Sequence, residues 1–285
     1  MEKQRAGVRW LGGGRITVVV AGVLGLAGTF AFRTAPVAAF GTVAEQVVLL
    51  RAMETLPKQL KNFYKSHRLE MPSLSPEATP PEKGPDRRFA IDRLLPFPFA
   101  DLPRSEAEMK TRFGDSGASV GRLPWLIQES YARLVEAFKG RDKAKILEES
   151  DALASVVAEI HNPLALSDNA DGQKTGQHGL WLRFSHRLSE AMEGKLDLDR
   201  GAAVYLDDPK EYVFSMLGAT YVWLDNVLYL EELAKRGKGG YTDAYYAELM
   251  RRAGPVLRER LSSAAEDIGS YWYTAWTAAG RPELK

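Results

Sequence analysis

The stretch from Asp151 to Leu188, DALASVVAEIHNPLALSDNADGQKTGQHGLWLRFSHRL, constrains the fold more than any other. It begins as an apolar helix, breaks at His161-Asn162-Pro163 and crosses a polar loop of Asn, Asp, Gly and Gln. It re-enters a helix near Gly179. Proline removes an amide donor and disfavours helical backbone in the residue before it, which sets the break. Asn, Asp and Gly bond their own turns, which suits the loop. Helix, loop and helix around one buried seam imply a helical fold.

The remaining periodicities agree. Thr42–Leu56 predicts an amphipathic helix with Val43, Val47, Leu50 and Met53 inward. Pro57–Leu69 predicts another, with Pro at its first position and Leu60, Phe63 and Tyr64 on one side. Residues 70–83 read as an exposed loop, and the three prolines between Asp86 and Pro103 favour an extended segment covering the core. Short helical character returns at Ser105–Phe113. Leu123–Lys139 and Arg141–Ile160 follow as two helices. Pro209–Lys235 reads as one long core helix carrying Tyr212, Met216, Ala219, Trp223, Val227 and Leu230. Tyr241–Thr277 predicts one or two more helices, interrupted near Gly254-Pro255. No run alternates in the manner of strands, so the expected class is all-α, with about eight helices around one core.

Ile16–Phe32 is an apolar run of 17 residues behind a basic flank, and Ala35-Pro36-Val37-Ala38-Ala39 offers small residues suited to signal peptidase. The expected division is therefore an export segment over 1–39 and a helical domain over 40–285. An uncleaved anchor at residues 16–32 is the rival, since the run sits at the short end of the roughly 17–25 residues that span a bilayer. Either way the domain lies outside the cytoplasm, periplasmic or extracellular. The chain has no cysteine, so its core holds it without disulfides. The first 39 residues carry five basic and one acidic residue, and setting them aside takes 38 and 37 down to 33 basic and 36 acidic. Such a balance excludes a nucleic-acid partner held by bulk charge. A membrane is a partner only through the N-terminal segment.

Six separated segments carry a resemblance. Phe40-Gly41 followed by Glu45 is the first, and Leu56-Pro57 through Asn62-Phe63-Tyr64-Lys65 the second. Pro85–Ala90, Pro124-Trp125, Asn169–Gly179 and Tyr271–Trp276 through Gly280 complete the set. In order and spacing they resemble the exported bacterial zinc-dependent phospholipase C family of the phospholipase C / S1–P1 nuclease superfamily. The resemblance spans Phe40 to Leu284 and implies a single multi-helix domain of that type.

In that superfamily zinc is held by five histidines, several aspartates, and the amine and carbonyl of the N-terminal residue, because Zn²⁺ favours imidazole nitrogen and its charge needs carboxylates nearby. This chain has four histidines in all: His67, His161, His178 and His186. The family's ligand helix stands here as Ser155–Ala165, with Ser155 and Ala165 at the two outer histidine positions and Glu159 at the aspartate. His161 occupies the middle position, which is not a ligand. Trp181 and Ser185 stand for the paired histidine and acid after the loop, Leu126 for the histidine after Pro124-Trp125, and Glu45 for the one near the N-terminus. A tri-zinc cluster is not expected. Leu126, Ala165 and Trp181 are expected to pack as apolar core.

If that fold is kept, Phe40, Glu45, Asp101 and Glu159 would converge as a residual site, and their oxygen ligands suit a single Ca²⁺, Mg²⁺ or Mn²⁺. The same carboxylates would otherwise cap helices or pair with Arg87, Arg88 or Arg183. Asp168, Asp171, His178 and His186 offer a second ligand set or, more simply, the turn and capping bonds of the loop. The tryptophans at 181, 223, 272 and 276 suit core packing better than a ligand groove. Gly12-Gly13-Gly14 follows no strand, and no Ser-x-x-Lys or Gly-x-Ser-x-Gly nucleophile is present. Three functions follow: a non-catalytic exported relative serving binding or structure, a weak metal-dependent phosphodiester hydrolase, and a membrane-tethered interaction module.

Overall fold

A computed structural model describes residues 40–74 and 85–284, apart from 193, 195 and 200. The export or anchor segment read at 1–39 lies outside the described residues. Contacts divide the chain into Met1–Thr34 and Ala35–Lys285, and every described residue belongs to the second unit.

Among the described residues there is no strand. The described residues form eight α-helices longer than one turn and one single-turn helix, an all-α arrangement as the periodicities imply. They are α1 (Gly41–Thr55), α2 (Lys58–Ser66), α3 (Glu106–Ala118), α4 (Leu123–Gly140), α5 (Lys143–Ile160), the short α6 (Leu188–Ala191), α7 (Pro209–Tyr221), α8 (Leu224–Lys235) and α9 (Asp243–Ala278). The longest, α9, is the central post, with α1, α4, α5 and α8 packed against it. Ser105, Asp142, Asp208 and Thr242 each accept a backbone N–H at a helix start, so side-chain oxygens satisfy donors that the helix leaves open.

Three expectations need correction. Helix α1 buries Ala44, Val48, Leu49, Ala52 and Met53 rather than the stripe through Val43, Val47 and Leu50, and Leu50 is exposed. Small residues decide that face, since close approach to α9 favours Ala44 and Ala52 over bulkier neighbours. At the crossing, a Cβ on Gly269 of α9 would lie 2.0 Å from Thr55 Oγ1 and 3.3 Å from the Ala52 carbonyl.

The long helix over 209–235 is interrupted by a two-residue turn at Val222 and Trp223, both still in right-handed backbone, which divides it into α7 and α8. Of the expected face, Met216 and Val227 are buried and Tyr212, Trp223 and Leu230 pack half-buried against the core, while Ala219 is exposed; Val213, Phe214, Leu217, Thr220, Leu224, Glu231 and Ala234 complete the buried side. Helix α9, in contrast, runs unbroken through Pro255. Pro255 and Arg251 both face solvent, so water can serve the carbonyl whose helical donor proline removes.

Residues 196–199 and 201–206 form no helix and run along α9. The amides of Asp199, Val204 and Leu206 donate to the hydroxyls of Ser262, Ser270 and Thr274 at 3.0–3.1 Å. The Gly201 amide serves Glu266, and the Ala203 amide donates to the Thr55 carbonyl at 2.9 Å. The four α9 side chains recur every fourth residue. Their partners Asp199, Gly201, Val204 and Leu206 are two or three residues apart, so four helical residues, a rise of about 6 Å, are matched by two or three residues of the segment beside them.

Candidate functional site

The candidate seam forms where the end of α5 meets the Pro85–Leu95 loop and the chain from His161 to Arg187. From Val156 to Ile160 every residue of α5 is buried, which marks this end as interior on all sides. Ser155 and Glu159 are four apart and share one face. Arg87 reaches across both. Its Nη2 donates to Ser155 Oγ at 2.8 Å, and its Nε lies 3.5 Å from Glu159 Oε2, an ion pair rather than a hydrogen bond.

Arg88 enters the same seam beside it. Its Nη2 donates to the Ser167 carbonyl at 3.3 Å, and its guanidinium lies 5.8 Å from the Trp181 ring centre. Burial pulls Arg88 below the ordinary guanidinium range, while the carboxylates of Asp168, Glu159, Asp171 and Asp92 oppose it. A guanidinium stays charged in proteins, so Arg88 is a permanent cation among four acids.

Those acids have further partners. Asp92 accepts from the Asp168 amide at 2.8 Å, from Ser167 Oγ at 2.6 Å and from the Tyr221 hydroxyl at 3.2 Å. Asp171 accepts the Gly179 and Trp181 amides at 2.9 and 3.1 Å and so caps the returning helix. Asp168 pairs with Lys174 at 2.6 Å, and Asn169 accepts the Lys174 amide at 2.7 Å. Turn and capping bonds therefore account for the Asn/Asp/Gly loop.

The returning helix opens as a π-helical segment, Leu182–Arg187, that buries Arg183, Phe184, Ser185 and His186. Ser185 accepts from Asn162 Nδ2 at 2.9 Å, and Asn162 Oδ1 accepts the Leu164 amide at 3.1 Å. Ala165 is fully buried, and its carbonyl accepts the Phe89 amide at 2.8 Å. Leu126 and Trp181 are half-buried and pack against the core.

Of the four residues expected to converge, Phe40 is fully buried at the start of α1. Its carbonyl lies 2.6 Å from the Ser189 hydroxyl, whose single proton is shared with the Ser185 and His186 carbonyls at 2.8 and 2.9 Å. Glu45 is half-buried on α1 and lines a cavity of about 20 Å³ with Ser73, Asp151 and Ser155. That volume accommodates about one water molecule. Ser155 shares its partner Arg87 with Glu159. Asp101 is exposed on the loop before α3, its carbonyl accepting from Arg112. Among the described residues, no three His, Asp or Glu side chains form a group able to hold a metal ion.

The histidines are dispersed. His67 pairs with Glu70 at 2.7 Å, and His178 is exposed. His161 Nε2 lies 3.0 Å from Asp267 Oδ2, and Asp267 Oδ1 accepts from the Tyr212 hydroxyl at 2.7 Å. His186 packs beside Gly41, where an added Cβ would lie 3.1 Å from His186 Nδ1.

One polar network escapes the sequence reading. Glu231 of α8 has no exposed surface and accepts from Arg183 at 2.9 Å, Tyr245 at 2.9 Å and Gln177 at 2.6 Å. Arg183 also donates to the carbonyls of Gln177 and His178, and lies 3.8 Å from the Tyr241 ring centre. Burial and the Glu231 charge push the Tyr245 hydroxyl well above the ordinary phenol range. The available signal was Glu231 itself, a lone acid on the apolar stripe of α8, since a buried carboxylate demands a partner.

No protein-family model matches the chain, and no curated protein matches it.

Proposed function

We propose that the chain is an exported, non-catalytic relative of the zinc-dependent phospholipase C / S1–P1 nuclease superfamily, keeping the helical scaffold for binding or structure. One observation carries the reading: two guanidinium groups lie in the seam where the resemblance would put metal. Ser155, Glu159, Ala165 and Trp181 border the loop Arg87–Phe89, and Ser185 bonds Asn162. Arg87 holds Ser155 and Glu159, and Arg88 lies over Trp181.

Charge gives the physical reason. A divalent ion placed about 4 Å from one guanidinium would meet roughly 8 kcal/mol of repulsion at an effective dielectric near 20. Arg87 and Arg88 supply the positive charge that the carboxylates need, without a metal. The basic flank, apolar run and small-residue exit before Phe40 support the exported address.

The test is turnover of bis-p-nitrophenyl phosphate by the purified chain with added Zn²⁺, beside metal analysis by mass spectrometry. No turnover and less than roughly a tenth of an equivalent of metal are expected. Zinc-dependent turnover, lost on chelation and restored by zinc, would overturn the reading. Activity with Mg²⁺ or Mn²⁺ that is lost in Glu159→Ala and kept in His178→Ala would favour the residual carboxylate site instead.

A further inference from the structure

We infer that a groove of about 540 Å³ between α1, the end of α2 and residues 196–198 binds a fatty-acid carboxylate, its chain on the apolar floor and its head at Arg51 and Arg68. The groove shares no residue with the seam. Its chemistry depends neither on export nor on a metal-binding ancestry.

Helix α1 is apolar on two sides. Ala44, Val48, Leu49 and Ala52 pack inward, while Val43, Val47 and Leu50 form a second stripe that stays half-buried or exposed. A helix that is apolar all round is ordinarily covered all round. Val47, Leu50, Arg51 and Glu54 stand at i, i+3, i+4 and i+7, so they share one face. Over about 10 Å of helix that face turns from apolar to charged. Met53, Leu196 and Leu198 widen the apolar floor. The volume falls within the roughly 300–1,000 Å³ of small-molecule sites.

The head end is set by charge. Arg51, Lys65 and Arg68 line the groove against Glu54 and Asp197. Glu54 takes up Lys65 at 2.7 Å. Arg51 Nε donates to the Asp199 carbonyl at 2.9 Å, and Arg68 Nη1 to the Lys65 carbonyl at 3.1 Å. Among the described residues neither guanidinium has a carboxylate within ion-pair distance, and each keeps further N–H donors for a ligand. A guanidinium fork matches a carboxylate in shape. Three cations less two acids leave one positive charge, which a monoanion balances. A phosphate monoester, at about −1.5 to −2, would overfill it.

The test is calorimetric titration of the full chain with dodecanoate below its micelle concentration. A dodecanoate carrying a diazirine at its far end, cross-linked and read by peptide mass, locates the site. Expected are saturable binding and cross-links within residues 43–54 or 196–198. The double variant Arg51→Gln, Arg68→Gln should bind at least about tenfold more weakly, having lost its charge-assisted bonds. On the parent chain, dodecyl maltoside and dodecyltrimethylammonium should bind at least about tenfold more weakly than dodecanoate. Each methylene added between octanoate and dodecanoate should tighten binding roughly two- to fourfold. Absence of saturable binding, cross-links confined to residues 1–39, equal affinity for all three head groups, or an unchanged Kd in the double variant would overturn the site. Tighter binding of dodecyl phosphate than of dodecanoate would overturn the carboxylate as its ligand.

Discussion

Arg88 illustrates how one side chain can set the electrostatics of an interior. Asp92, Glu159, Asp168 and Asp171 all face it, and replacing it by methionine keeps most of its volume while removing the cation. We expect Arg88→Met to cost about 2–4 kcal/mol at pH 7, below or within the range for breaking a buried pair because Arg88 is only half-buried. The loss should shrink on acidification. Without the cation the negative charges of the seam repel one another, and that repulsion weakens at the acid end. Urea unfolding between pH 4 and 8 measures this, and a pH-independent loss would contradict it. The sequence made part of this legible, since Arg87 and Arg88 stood beside the acids as their alternative partners. The particular pairs were not legible, because Arg87 and Glu159 are 72 positions apart and no local period relates them.

At the scale of elements, packing overrides propensity. Gly269 lies inside α9, where helix propensity alone would make alanine about 1 kcal/mol more stable. The added Cβ would instead lie 2.0 Å from Thr55 Oγ1 and 3.3 Å from Ala203 Cβ. Gly269→Ala should therefore lower stability by about 1–3 kcal/mol, and a rise in the urea midpoint would refute the tight α1–α9 crossing. Glu231 makes the complementary point for α8. Glu231→Ala strands Arg183 without its carboxylate, and an expected loss of about 3–5 kcal/mol should appear in thermal unfolding. Helix positions were legible from the 3.6-residue period and from Pro, Gly and capping signals. The buried face of α1 was not, because its inward stripe is chosen by the small residues that α9 requires.

For the molecule as a whole, the bonds from Asp199, Gly201, Val204 and Leu206 tie the chain between α6 and α7 to the central post. Glu266 sits in that contact, and burial together with the Asp267 charge raises its carboxyl above the usual range, while the Gly201 amide lowers it. A raised folded pKa means that Glu266 adds stability below its unfolded value, which is lost as pH climbs through the folded value. Glu266→Gln should therefore raise the urea midpoint at pH 7 relative to the parent, with the gain vanishing below about pH 4. An unchanged difference across that range would argue against the raised value. The domain's stability should also be indifferent to metal. Chelation or added Zn²⁺ is expected to leave Tm within about 1 °C, since a ligand stabilises only what binds it.

By itself the sequence determined the all-helical class and the placement of most helices, because each depends on neighbours within a turn or two. Only the tertiary structure decided that Arg87 and Arg88 lie in the seam, that Glu231 anchors Arg183, and that α9 passes through Pro255 unbroken. Those outcomes depend on groups brought together from dozens of residues apart, where burial and Coulomb energy, rather than local backbone preference, choose the partner.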